Sequence, residues 1–255
     1  MGAPKAIPRV DILGVGVSAV SPQVAIAEMA RWIDEGENHY VCVTGVHGIM
    51  ESQDDPDLKA IHNRSGLTVP DGMPAVWSGH YAGFKDMERV YGPDLMPSFI
   101  EFGVPRGYKH FLYGGGEGLA ELLAAKLGEK FPGVDIVGTH CPPFRPLTEA
   151  EEDEVVAMIN ASGADVVWVG LSTPKQERWM ARMAHRLDAN AVLGVGAAFD
   201  INAELASRAP RFVQKIGMEW FYRLVKEPRR LAKRYLKNNP RFVWRILRNR
   251  PRPMV

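Results

Sequence analysis

The apolar positions of this chain change period repeatedly. Val10–Leu13 is a short apolar run that reads as a strand. From Pro22 the spacing becomes helical, through Val24, Ile26, Met29, Ala30 and Ile33, and stops near Gly36. Tyr40–Thr44 is rich in β-branched residues and predicts a buried strand. Helices are predicted from His47, over Pro56–Arg64, Pro74–Tyr81 and Pro93–Phe102, with a brief strand at Leu67–Val69. The second half alternates more cleanly. Strands are predicted at His110–Tyr113, Val134–Val137, Ala164–Gly170 and Ala191–Val195. Between them lie helices at Leu119–Lys130, Thr148–Ser162 and Pro174–Leu187, with Thr148 and Glu151 spaced as a capping box. Such alternation predicts an α/β fold: a Rossmann-like parallel sheet with helices on both faces. Right-handed crossovers then gather the strand-to-helix loops on one edge, where ligands bind.

Beyond Phe212 the pattern is helical again. Apolar stripes run through Ile216, Trp220 and Leu224, then Leu231 and Tyr235, then Phe242 and Ile246. Glu227-Pro228 and Asn238-Asn239-Pro240 predict two breaks. Charge sets this stretch apart. Residues 208–255 hold 15 Lys/Arg against two acids, a balance of +13, whereas residues 1–207 stand at −12. The expected organisation is therefore a catalytic α/β domain over 1–207 and a basic, aromatic helical appendage over 208–255. Such an appendage suits a phosphate-rich partner: a nucleic acid, an anionic membrane or a diphosphate substrate. No apolar run approaches the roughly 18–20 residues of a membrane span, and the N-terminus lacks the long apolar stretch of a secretory signal. Cys42 and Cys141 are isolated, which predicts free thiols in a reducing cytoplasm.

Several loops could carry chemistry. Gly14-Val-Gly16-Val-Ser-Ala19 matches a dinucleotide fingerprint, but its helix opens too late for that turn. Gly114, Gly115 and Gly116 follow a better strand; their N–H groups could hold a phosphate or a sugar hydroxyl, or form only a tight turn. Asp71 lies between Pro70 and Gly72 at a strand end. It reads as a general base or as a turn and helix cap, and spacing alone favours the cap. Lys175 and Gln176 open a helix after Pro174 and offer a charge and an amide, or are simply a capped helix start. Asp200 could take sugar hydroxyls or cap a helix. Thr44 and His47 stand at the end of the second strand, His47 reading better as structural. No Cys/His cluster, metalloprotease motif or P-loop is present, so neither a metal site nor a cofactor is predicted.

In this order, the blocks YVCVTGVHGIMES, LTVPDGMPAVW, RVYGPDL, FLYGGGEG, VWVGLSTPKQERWM, GVGAAFD and RAPRFVQKIGMEWFYRLVKEPRRLAKRY resemble the WecG/TagA/CpsF family of bacterial glycosyltransferases. The resemblance covers roughly residues 10–236. It implies an inverting, metal-independent hexosyl- or N-acetylhexosaminyltransferase. The sugar would pass from a UDP-sugar to a polyprenyl-diphosphate-linked saccharide during synthesis of a cell-surface polysaccharide. The enzyme would sit on the inner, cytoplasmic face of the plasma membrane against anionic lipid, and self-association is implied as well. Asp71 falls on the family's proposed general base. Thr44, Arg89 and Gln176 fall on active-site polar positions, and Arg223 and Arg230 on tail arginines that close over the diphosphate. Members with an asparagine two residues after the threonine differ from this chain, which has Val46, so the transferred sugar stays open. Two rival classes are a nucleic-acid-binding α/β protein and a nicotinamide-dependent oxidoreductase. The first leaves the edge loops unexplained, and the second lacks a proper glycine fingerprint.

Overall fold

The computed structural model describes residues 6–215 and 217–254, apart from the side chains of Arg211, Lys215 and Arg230. Ile216, and the functional side chain expected at Arg230, thus lie outside the described residues. In chain order the elements are β1 (Arg9–Ile12), β2 (Val15–Ser18), α1 (Pro22–Glu35), β3 (His39–Thr44), α2 (Val46–Asp54), α3 (Pro56–Arg64), β4 (Leu67–Pro70), α4 (Met73–Tyr81) and α5 (Gly92–Gly103). Then follow β5 (Lys109–Gly114), α6 (Leu119–Lys130), β6 (Asp135–His140), α7 (Glu149–Ser162), β7 (Val166–Gly170), α8 (Lys175–Met183), β8 (Ala191–Gly194) and α9 (Ala198–Asn202). The chain ends with α10 (Arg211–Lys215), α11 (Glu219–Lys226), α12 (Pro228–Arg248) and β9 (Arg252–Pro253). The fold class is α/β, as the periodicity predicts.

The chain divides into two compact units. One comprises residues 24–43 and 91–207. Its strands run parallel in the order β3-β8-β7-β5-β6. Val166–Val169 are all buried, because helices cover both faces and leave no solvent side for alternation. Phe111, Tyr113, Val167 and Val169 pack with Val155 and Ile159 of α7 and Trp179 and Met180 of α8. On the other face Phe99 of α5 meets the rings of His110 and Trp168. Thr148 caps α7: its Oγ1 accepts from Glu151 N at 3.3 Å, and Glu151 Oε2 accepts from Thr148 N at 2.8 Å.

The other unit comprises residues 1–23, 44–90 and 208–255, so the basic stretch packs with N-terminal segments. Two features here depart from the sequence reading. The first is β2, a strand that the sequence reading did not expect after Gly14. β1 and β2 form an antiparallel hairpin whose two-residue turn, Leu13-Gly14, has φ of 58° and 83°. Positive φ at both central residues matches the twist of a hairpin and cannot serve as a dinucleotide turn. The chain end returns as β9 to pair with β1, with Arg252 Nε 3.3 Å from Asp11 Oδ2.

The predicted break at Asn238-Asn239-Pro240 is absent, and α12 runs through Pro240. Its inner face explains why. Leu231 and Phe242 are buried, and Phe242 joins a core with Val10, Ile12, Ile49 and Met50. Asp54 of α2 accepts from Arg241 at 2.9 and 2.7 Å. Pro240 and Leu236 face outward, so the carbonyl that the proline leaves without a donor lies on the solvent side.

Candidate active site

Asp71 follows β4, and backbone bonds fix its position. Its N–H donates to the Thr44 carbonyl at 3.0 Å, and its own carbonyl accepts from Arg89 Nε at 2.6 Å. Val90 N donates to the Pro70 carbonyl at 2.9 Å, tying the Arg89 segment to the same strand end. The side chain lies over Gly45, where a Cβ would stand 3.7 Å from Asp71 Oδ2. Spacing alone favours Asp71 as a cap for α4, but Gly72 holds the N-cap position.

Three of the predicted catalytic residues, Thr44, Asp71 and Arg89, thus come together within one unit. Thr44 is buried at 2% exposure, and its Oγ1 has no hydrogen-bond partner among the described residues. Arg89 also reaches the tail, its Nη2 lying 2.7 Å from Glu219 Oε2 at the start of α11. Arg223 stands four residues on, one helical turn along the same helix face. Sequence reasoning passed over Glu219. Its signal was available: it is one of two acids in a stretch of 15 cations.

His47 supports the fold, as its spacing suggests. Its Nδ1 is 3.1 Å from Asn238 Nδ2, which also lies 3.4 Å from Glu51 Oε1. Burial, helped by the positive charge of Arg234, holds the imidazole down to about 4, so it is neutral at pH 7 and accepts from the amide. Val46 turns into the apolar cluster built on β1 and β2.

Gln176, Gly114, Gly115, Lys175 and Asp200 belong to the other unit, at the end of β5 and in the first turns of α8 and α9. Gly114 has φ of 112°, and a Cβ there would stand 2.9 Å from the Gly170 backbone. Gly115 N donates to the Gly170 carbonyl at 3.0 Å. Gly114 is thus required by close strand packing, and Gly115 by its φ of 82°, whatever else they bind. Lys175 is exposed, its Nζ 4.9 Å from the Phe144 ring centroid. Asp200 is exposed in the first turn of α9, where no side chain caps the helix. Gln176 is buried: Nε2 donates to the Gly194 carbonyl at 3.1 Å, and Oε1 has no partner among the described residues. Glu177 beside it is buried too, and burial raises its carboxyl pKa.

The profile of the glycosyl transferase WecG/TagA/CpsF family matches residues 10–254. The chain belongs to that family. Similar proteins include the N-acetylglucosaminyldiphosphoundecaprenol N-acetyl-beta-D-mannosaminyltransferase of Bacillus spizizenii, 25% identical over 218 residues, which span 86% of this chain and 82% of the relative. A Staphylococcus aureus protein of the same name is 25% identical over 241 residues, 93% of this chain and 92% of its own length. Membership in the WecG/TagA/CpsF family makes the protein a glycosyltransferase. Among the described residues no helix is long and apolar enough to cross a membrane.

Proposed function

We propose that this glycosyltransferase moves an N-acetylhexosamine from a UDP-sugar to a polyprenyl-diphosphate-linked N-acetylglucosamine, in the synthesis of a cell-surface polysaccharide. The printed names of the relatives support the acceptor and the class of sugar, N-acetylmannosamine being the one that they transfer. Transfer is a single inverting displacement. The acceptor hydroxyl oxygen attacks the anomeric carbon, and the bond from that carbon to the phosphate oxygen breaks. The electron pair departs with UDP, and the hydroxyl proton passes to the Asp71 carboxylate. Thr44 and Arg89 flank this base. Arg223 and Arg230 supply positive charge to the departing diphosphate, as arginine suits phosphate geometry better than lysine. Gly114, Gly115, Lys175, Gln176 and Asp200 bind the sugar nucleotide. The enzyme works without a metal, at the inner face of the plasma membrane, and can self-associate.

The observation that carries this reading is the fixing of Asp71. Thr44 and Arg89 hold its backbone from two sides at the end of β4. Asp71→Asn keeps the shape and removes the proton acceptor. A general base is typically worth about 10²–10⁴-fold, so kcat is expected to fall by that factor with UDP binding unchanged. Near-normal turnover in this variant would refute the assignment. Mass spectrometry of products from a UDP-sugar panel with a short lipid-diphosphate-N-acetylglucosamine acceptor identifies the sugar.

A further inference from the structure

Gln176 and Glu177 open α8 with side chains only 3% and 1% exposed. Gln176 Nε2 donates to the Gly194 carbonyl at 3.1 Å and to Glu177 Oε1 at 3.3 Å. Both amide hydrogens are thereby used. Turning the carboxamide over would set its oxygen against those two acceptors, so its orientation is determined. Oε1 is left as a buried acceptor with no partner among the described residues. Leaving such an atom unmade costs about 1–3 kcal/mol, and a native fold keeps one where a ligand or water completes it. Glycines make the room. A Cβ at Gly194 would lie 3.1 Å from Gln176 Cδ, and one at Gly196 3.3 Å from Oε1.

Glu177 is anchored in turn. Thr173 Oγ1 donates to its Oε1 at 2.8 Å, so that oxygen accepts from both Thr173 and Gln176. Burial favours the neutral acid, which keeps Oε1 as an acceptor and adds no negative charge to a unit that takes a diphosphate.

We propose that Glu177 is a positioning residue: with the Gly194 carbonyl it clamps the Gln176 carboxamide, so that Gln176 Oε1 accepts a hydrogen bond from an O–H or N–H group of the sugar nucleotide. This rests on the reading above that Gln176 binds the sugar nucleotide.

Steady-state kinetics of the full chain with varied UDP-sugar, beside calorimetric titration with UDP, test it. Gln176→Leu is expected to raise KM for the UDP-sugar about five- to tenfold, the worth of one hydrogen bond with its partner left unmade. Glu177→Leu is expected to raise KM by a similar factor, and to cost some Tm because the Thr173 and Gln176 donors lose their shared acceptor. The double variant is expected to be no worse than either single one, because both changes remove the same contact. Glu177→Gln keeps an acceptor oxygen and is expected to stay within about threefold of the parent KM. A fall in UDP affinity that tracks KM places the contact on the nucleotide; unchanged UDP affinity places it on the sugar. A parental KM in Glu177→Leu, or losses that add in the double variant, would overturn the proposal. Should Glu177→Leu fail to fold, Thr173→Val, which removes one anchor of Glu177 Oε1, decides: a raised KM with kcat held supports the clamp, and a parental KM sinks it. If Gln176→Leu itself leaves KM unchanged, the failure lies in the reading of Gln176 and not in Glu177.

Discussion

Arg89 uses its guanidinium in two directions. Nε holds the Asp71 carbonyl, and Nη2 meets Glu219, a partner 130 residues along the chain. Both side chains of this ion pair are largely buried, at 18% and 10% exposure. Removing one member of a buried pair strands the other charge, at a cost of about 3–5 kcal/mol in a dry interior and less where water still reaches. Glu219→Ala is therefore expected to lower stability by about 2–3 kcal/mol. It should also lower kcat, because the Arg89 guanidinium loses the carboxylate that Nη2 meets and is held less firmly against Asp71. Glu219→Gln keeps a hydrogen bond and should lose less of both. Thermal melts and initial rates on the two variants check this, and equal losses in both would argue against a charge-dependent role. This pair also marks a limit of sequence reading. Thr44, Asp71 and Arg89 come from motif blocks, and a reader can assign them one by one. That Glu219 completes their surroundings depends on where α11 packs, which no local spacing encodes. Glu177 differs: it lies inside a block already singled out, and only its burial separates it from an ordinary surface acid.

Elements were legible where local and tertiary preferences agree. The capping box of α7 and the continuous apolar run of β7 each follow from one physical rule, and the structure has both. The misses share a cause. Leu13-Gly14 turns the chain back on itself because β2 has a partner in β1, and the glycine pattern hides that pairing. In α12, Asn-Asn-Pro is a strong local break signal. Tertiary packing overrides it: Leu231, Asn238 and Phe242 are buried on one side of Pro240 and the other, and Arg241 pairs with Asp54. Proline in a helix interior costs about 3 kcal/mol relative to alanine. Pro240→Ala restores a donor to the Leu236 carbonyl and is expected to stabilise the protein by about 1–3 kcal/mol. A rise in Tm with activity retained is the result to look for. A fall would mean that the proline sets the path of the helix and that the contacts on either side of it depend on that path.

At the scale of the whole molecule, charge is the organising quantity. The 15 cations of residues 208–255 offer fixed positive charge to a diphosphate, the part that a divalent ion would otherwise play. Turnover is accordingly expected to persist in excess EDTA, and loss that magnesium or manganese restores would overturn metal independence. The same stretch presents exposed apolar side chains on α12, with Leu236 73% and Leu247 75% exposed. Val243 and Trp244 are also exposed on α12, among lysines and arginines. An amphipathic helix of this kind is suited to a membrane interface, which is the role we propose for α12. Catalysis and anchoring should therefore separate by residue. Truncation at Ser207 cannot separate them, because it removes β9 from β1 and Phe242 from the core. Point changes can. Arg223→Ala should lower kcat, since a charge that meets the departing diphosphate can be worth roughly 3–4 kcal/mol of barrier. It should hardly change liposome binding, since one near-surface charge contributes only about 1 kcal/mol of lipid attraction. Leu236→Ser with Leu247→Ser should do the reverse. Sedimentation with anionic vesicles should fall, because two exposed leucines that could enter the interface are lost, each worth about 1.5–3 kcal/mol when fully buried. The rate on a soluble acceptor should hold, because neither leucine touches the Asp71 cluster. Unchanged sedimentation of the double serine variant would remove the membrane role from α12, and an unchanged kcat in Arg223→Ala would remove the catalytic role from α11.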